Sequence, residues 1–161
     1  MNERAEYVPG GMLLHPVAVV ALVTWLVNDH VLKSLTPGWL TGKLSDVACL
    51  IVCPLLVVAA VELRWPAVPW NRQRWILLAA LLVFGLIMGG IRVWPWAADA
   101  YRHGLGAAQW PVRALVASLL GSPVPQLRPV QLAMDVTDIA TLPSLIVPGL
   151  LVRHLRGDRV R

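Results

Sequence analysis

Long apolar stretches constrain this chain more than any other feature of its sequence. Four of them approach the roughly 20 residues that an α-helix needs to cross the hydrocarbon layer of a bilayer. They cover about residues 12–32, 44–63, 75–93 and 130–152. Each must satisfy its backbone hydrogen bonds internally, because hydrocarbon offers none. The sequence therefore predicts an all-α fold, a bundle of four transmembrane helices that forms a single domain over residues 1–161.

The scarcity of charge supports this prediction and excludes one class of partner. Only 14% of the residues are charged, whereas soluble proteins carry about 25%. The net charge of +5 comes from short basic stretches between apolar runs, and no basic domain is present that would hold a nucleic acid. We expect the lipid bilayer to be the main partner and expect no nucleic-acid binding.

The segment 94–129, between the third and fourth spans, is predicted to be a long outer loop. Within it, Val112 to Leu120 is apolar but is bracketed by Pro111 and Gly121. This piece is too short to cross a bilayer. We expect it to form a short interfacial helix.

The distribution of basic residues predicts the orientation. With four spans, the N-terminus, the second loop and the C-terminus share one side, which carries eight arginines against six basic residues on the other side. Cytoplasmic segments are enriched in Lys and Arg. We therefore expect a multi-pass protein of the cell membrane with both termini in the cytoplasm.

Polar residues interrupt the apolar runs near one predicted face. They occur at the end of span one, the start of span two, the end of span three and the start of span four, which alternating spans bring to the same side. We predict a polar outer-face site there. Its candidate binding residues are Asp29, His30, Lys33, Lys43, Asp46, Arg92, Asp135 and Asp138.

The deepest carboxylates are the main reason to expect function at this site. If span four begins near Pro129, Asp138 lies about 13 Å along its axis, and Asp135 projects from the same face. Ionisable groups inside a membrane are functional candidates. Carboxylates that meet there would share a proton, which suits binding or translocation of a proton, a small cation or a lipid headgroup.

Other interpretations of the same acids remain open. They include salt bridges that hold helices together, an accessory subunit whose polar groups hold a partner helix, and an intramembrane aspartyl-type hydrolase. For the hydrolase, the catalytic candidates are Asp46, Asp135 and Asp138. Ser45 is expected to cap the N-terminus of span two.

Neither a metal nor a cofactor is expected. Cys49 and Cys53 share a helix face, but no His or Met completes a soft-metal ligand set nearby, so they are interpreted as small apolar residues. Gly85 and Gly89 are spaced for close helix approach, either within the chain, in a homo-oligomer or against another membrane protein.

Three strings carry a resemblance: residues 28–33 (NDHVLK), 41–46 (TGKLSD) and 135–138 (DVTD). They resemble those of small bacterial multi-span inner-membrane proteins of unassigned function. A more distant likeness is to lipoprotein signal peptidases, four-span aspartyl enzymes with an Asp-x-x-x-Lys near the end of the first helix, matched here by Asp29 and Lys33. That likeness implies that Asp135 or Asp138 is half of a catalytic dyad, although the family's Asn-x-Gly-Ala-Ala-Phe block is absent.

Overall fold

The computed structural model describes residues 8–65 and 68–152, and within these ranges the regular structure is entirely helical. A 3-10 turn, Gly11–Leu14, precedes the first long helix. The helices, numbered in chain order, are α1 (Pro16–Leu35), α2 (Trp39–Arg64), α3 (Trp70–Val93), α4 (Pro95–Leu119) and α5 (Val136–Val152).

Three of the helices, α1, α2 and α3, are long and apolar enough to cross a membrane. They correspond to the first three predicted spans and are compatible with a multi-pass membrane protein. Large apolar side chains remain uncovered along them, for example Val20 at 64%, Leu82 at 63% and Leu86 at 65% exposure. Such surfaces are stable where lipid surrounds the protein.

The first helix begins later than its apolar run. Pro16 takes the first helical position, where its missing N–H costs no hydrogen bond. His15 caps the helix, because its ring nitrogen accepts the N–H of Val17 at 3.2 Å. The preceding turn is attached to α2, since Gly10 N–H donates to the buried carboxylate of Glu62 at 2.7 Å.

The chain divides into two compact units. The first comprises residues 8–86 and 140–152 of the described ranges, and its core contains Met12, Leu55, Leu77 and Leu151. Gly85 lies close to α5, since a Cβ there would be 3.2 Å from the side chain of Leu145. This contact agrees with the expectation of close packing at Gly85, whereas a Cβ at Gly89 would meet no described atom within 4 Å.

The second unit, Ile87–Ile139, contains α4, which differs from the predicted loop. In place of a short helix at 112–120, the structure has a helix of 25 residues. Pro95 begins it, and the helix continues through Pro111. It ends at Leu119, and two residues later Gly121 has a φ of +66°, which suits a residue without a Cβ. Two terminal hydrogen bonds, Ser122 N–H to Ala117 C=O and Gly121 N–H to Ser118 C=O, form a Schellman motif.

The predicted fourth span is helical over only part of its length. Residues 130–135 have no helical structure, and Val136–Leu145 is a 3-10 helix that leads into one final α-helical segment. The helix Val136–Val152 is shorter than the three long apolar helices. A fourth complete span is therefore not established by these bounds.

Part of the basis for orientation lies outside the described residues. Five of the eight arginines assigned to the cytoplasmic side are among the residues that the structure does not describe: Arg4, Arg153, Arg156, Arg159 and Arg161.

Candidate functional site

A widened turn near the end of α1 builds the first polar cluster. Asn28–Leu32 forms a π-helical turn within the helix, a distortion that occurs often at functional sites. Asn28 is completely buried. Its side-chain amide donates to the Thr41 carbonyl at 2.7 Å and to the Ser45 hydroxyl oxygen at 2.6 Å. The turn thereby joins α1 to the first two turns of α2.

Asp29 is the centre of this cluster and accepts hydrogen bonds from three side chains. The ammonium of Lys33, one turn later, lies 2.7 Å from Oδ1, and the Ser45 hydroxyl donates to the same oxygen. The indole N–H of Trp25 donates to Oδ2 at 2.8 Å. We call Trp25, Asn28, Asp29, Lys33 and Ser45 the Asp29 cluster.

The Asp29 cluster has both a buried and an accessible part. Asn28 and Ser45 are buried, whereas the side chains of Asp29 and Lys33 are 35% and 40% exposed. The side-chain carbonyl oxygen of Asn28 is buried without a hydrogen-bond partner among the described residues. The cluster therefore combines an accessible carboxylate with a buried acceptor, groups that bind protons, cations and hydrogen-bond donors.

The hydroxyl of Ser45 links the two parts, since it accepts from Asn28 and donates to Asp29. Ser45→Ala removes both contacts while Asn28 keeps the Thr41 carbonyl. We expect a loss of about 1–3 kcal/mol in unfolding free energy, typical of a broken buried polar contact, measured by denaturant unfolding in detergent micelles. Ser34→Ala is the matched control, because the exposed hydroxyl of Ser34 donates to the Val31 carbonyl in its own helix. An equal loss in both variants would contradict the linking role.

The expectation that Ser45 caps α2 is wrong. The helix begins at Trp39, so Ser45 lies in its second turn. The N–H of Gly38 instead donates to the Thr41 hydroxyl at 3.1 Å. The longer helix also places the ammonium of Lys43 4.9 Å from the centroid of the Trp39 ring, a cation–π contact.

A second polar group lies in the other compact unit. Arg92, at the end of α3, forms an ion pair with Asp138 at 2.9 Å, and both side chains are 10% exposed or less. Arg92 also donates to the Ala133 carbonyl. Arg102 of α4 donates to the Leu132 carbonyl at 2.7 Å. The two guanidinium groups therefore hold the non-helical segment 130–135.

Asp135 ends this segment and starts the following helix. Its carboxylate accepts the backbone N–H of Thr137 at 2.9 Å and the Thr137 hydroxyl at 2.7 Å, which is the geometry of a helix cap. Asp135 and Asp138 therefore have different local environments, although their spacing predicts a common face.

The structure groups some of the predicted site residues within each unit. It joins Asp29 to Lys33 in the first unit and Arg92 to Asp138 in the second. His30 is exposed in the π-helical turn, and Asp46 follows Ser45 on α2. That all eight residues form one site stays a prediction.

Sequence patterns did not identify three contributors: Trp25, Ser45 as a ligand of Asp29, and Arg102. A signal existed for Trp25, because Trp25, Asp29 and Lys33 are spaced four residues apart, which places them on one helix face. The separation of 16 residues between Asp29 and Ser45 carries no such pattern, because their contact depends on how α1 packs on α2.

No group of three or more metal-ligating His, Cys, Asp or Glu side chains converges in residues 8–65 and 68–152. The thiols of Cys49 and Cys53 lie 3.3 Å apart on α2. In comparisons with protein-family models, curated proteins and solved structures, no significant match to this chain was found.

Proposed function

We propose that this chain is a multi-pass protein of the cell membrane that translocates a small cation, foremost a proton, and that the cation binds to and leaves the Asp29 cluster on its way. In this proposal α5 completes a fourth crossing together with residues 130–135, and both termini face the cytoplasm. The observation that carries the proposal is the partly exposed Asp29 carboxylate held by Trp25, Lys33 and Ser45.

Lys33 gives the site a means of releasing its ligand. Its ammonium is a tethered cation that pairs with the Asp29 carboxylate. A proton that binds Asp29 neutralises the carboxylate and removes the attraction that holds Lys33. When the proton leaves, Lys33 returns. The flexible lysine stem accommodates this movement.

The buried acceptor on Asn28 supports the preference for a ligand that donates hydrogen bonds or carries positive charge. A buried carbonyl oxygen without a partner costs about 1–3 kcal/mol. A hydrated proton or an ordered water delivered with the ligand would satisfy it.

We assign the Arg92–Asp138 pair a structural function within the second unit. Its two side chains are buried against each other, and Arg92 also holds the backbone at Ala133. The pair thereby positions the segment that leads into α5. This proposal separates the binding carboxylate, Asp29, from the structural carboxylate, Asp138.

The test is proton flux into liposomes that contain the purified full-length protein, measured with an enclosed pH-sensitive dye. We expect Asp29→Asn to reduce the flux to that of protein-free liposomes, because the amide keeps the shape of the side chain but does not take up the proton. Asp99→Asn is the matched control, since it also removes one carboxylate from an ion pair, the exposed contact with Arg102 at 2.6 Å.

Three results would contradict the proposal. Unchanged flux in Asp29→Asn would remove Asp29 from the pathway. The hydrolase would be favoured if the wild type showed no proton, Na⁺ or K⁺ flux but cleaved a membrane-inserted peptide, and if Asp138→Asn abolished that cleavage. The accessory subunit would be favoured if the wild type showed no flux and if a membrane protein that co-purifies with it were lost in Asp29→Asn.

A further inference from the structure

A groove between α3 and α5 lies within the first compact unit and has a charged end. Its volume is about 470 Å³, which is within the range of small-ligand sites. Its walls include Trp70, Arg74 and Leu81 of α3, and Leu145 and Gly149 of α5.

The wall on α3 changes from polar to apolar along the helix. Trp70, Arg74, Leu77 and Leu81 are separated by four, three and four residues, so they share one helix face. Leu81 lies about 10 Å along the axis from Arg74. The cation and the indole therefore lie at the start of the helix, and the leucines extend from them along the apolar span.

We propose that this groove binds an anionic phospholipid of the surrounding bilayer, with its phosphate on Arg74 and one acyl chain along the leucines. Charge complementarity selects this occupant: a guanidinium forms paired hydrogen bonds with phosphate oxygens, and the adjoining leucine wall offers only apolar contact to the rest of the lipid. Neither the Arg74 guanidinium nor the groove belongs to the Asp29 cluster, so this inference does not rest on the proposed cation binding.

The surroundings of the groove fit a lipid better than a soluble ligand. Leu78, Ile146 and Leu150 line it and remain 41%, 61% and 55% exposed. These side chains face hydrocarbon if α3 spans the membrane, so an acyl chain reaches the groove sideways from the bilayer. Tryptophan at the charged end is typical of the headgroup level.

The experiment measures lipid binding to the full-length protein in detergent by native mass spectrometry. The two probes are palmitoyl-oleoyl-phosphatidylglycerol and palmitoyl-oleoyl-phosphatidylcholine. We expect the wild type to bind phosphatidylglycerol more tightly, and Arg74→Gln to weaken that binding by about tenfold, the effect of one lost charge-assisted contact. Arg72→Gln is the matched control: Arg72 is also exposed at the start of α3 but does not line the groove.

A second variant tests the acyl chain separately from the charge. A Cβ at Gly149 would meet no atom within 4 Å, and Gly149 lines the groove, so the side chain of Gly149→Leu takes up space that the acyl chain would fill. We expect it to weaken binding of phosphatidylglycerol while Arg74 is intact. The proposal is overturned if Gly149→Leu binds like the wild type, if both arginine variants behave alike, or if phosphatidylcholine binds equally well.

Discussion

Replacing Arg92 with methionine is expected to destabilise the protein by about 3–5 kcal/mol, the loss seen when one partner of a buried ion pair is removed. The variant leaves the Asp138 carboxylate in a buried position without its guanidinium, and it also removes the donor to the Ala133 carbonyl. The measurement is the free energy of unfolding in mixed detergent micelles.

Two further variants separate this effect from a general loss of charge. Arg113→Met removes an exposed arginine of α4 and is expected to change stability by less than about 0.5 kcal/mol. The double variant Arg92→Met, Asp138→Leu removes both charges and is expected to recover much of the loss, because no buried carboxylate remains at position 138. Equal stability of Arg92→Met and Arg113→Met would show that the pair does not hold the second unit together.

Two glycines on α4 are expected to respond to alanine in opposite directions. A Cβ at Gly106 would lie 3.1 Å from the Cα of Pro129 and would also collide with the Arg128 carbonyl. Both obstacles are backbone atoms, which cannot rotate away. Overpacking of this kind costs about 1–3 kcal/mol or more, which exceeds the gain of about 0.5–1 kcal/mol from replacing glycine in a helix. Gly106→Ala is therefore expected to be destabilising.

Gly104 supplies the control on the same helix. No atom lies within 4 Å of a Cβ at this position, so Gly104→Ala is expected to stabilise the protein by about 0.5–1 kcal/mol through helix propensity alone. Thermal unfolding of both variants in the same detergent measures the difference. A common sign for the two changes would show that the segment around Pro129 does not pack on α4 at Gly106.

The three long apolar helices could be predicted from sequence because hydropathy alone specifies them. Their existence depends on about 20 consecutive residues that tolerate lipid. Their ends were less predictable: α2 begins at Trp39 and not near residue 44, since the polar residues before Leu44 continue the helix. Hydropathy identifies the part of a helix in the membrane and not the turns that extend beyond it.

The two errors in the second half of the chain have different causes, one local to a helix and one tertiary. Pro111 suggested a break, yet α4 passes through it, since one lost hydrogen bond is tolerated in a long helix with many others. Residues 130–135 appeared helical from their hydropathy. Two carbonyl groups of this segment instead accept hydrogen bonds from Arg92 and Arg102, donors that lie 41 and 30 residues away in the chain.

The candidate site shows the same division between local and distant information. The contact between Asp29 and Lys33 is predictable from their spacing of four residues. The contact between Asp29 and Ser45 requires the packing of α1 on α2 and the π-helical turn at Asn28. Sequence patterns could therefore name the ion pair but not the Ser45 hydroxyl that donates to its carboxylate.

The π-helical turn also determines which side chains lie on each face of α1. An inserted residue advances a helix by about 100° around its axis. The side chains after Leu32 therefore point in a different direction around the axis from the one that the pattern of valines and leucines before Asn28 predicts. One continuous helix can in this way present apolar side chains over most of its length and a partly exposed carboxylate and ammonium near its end, without a break in its backbone.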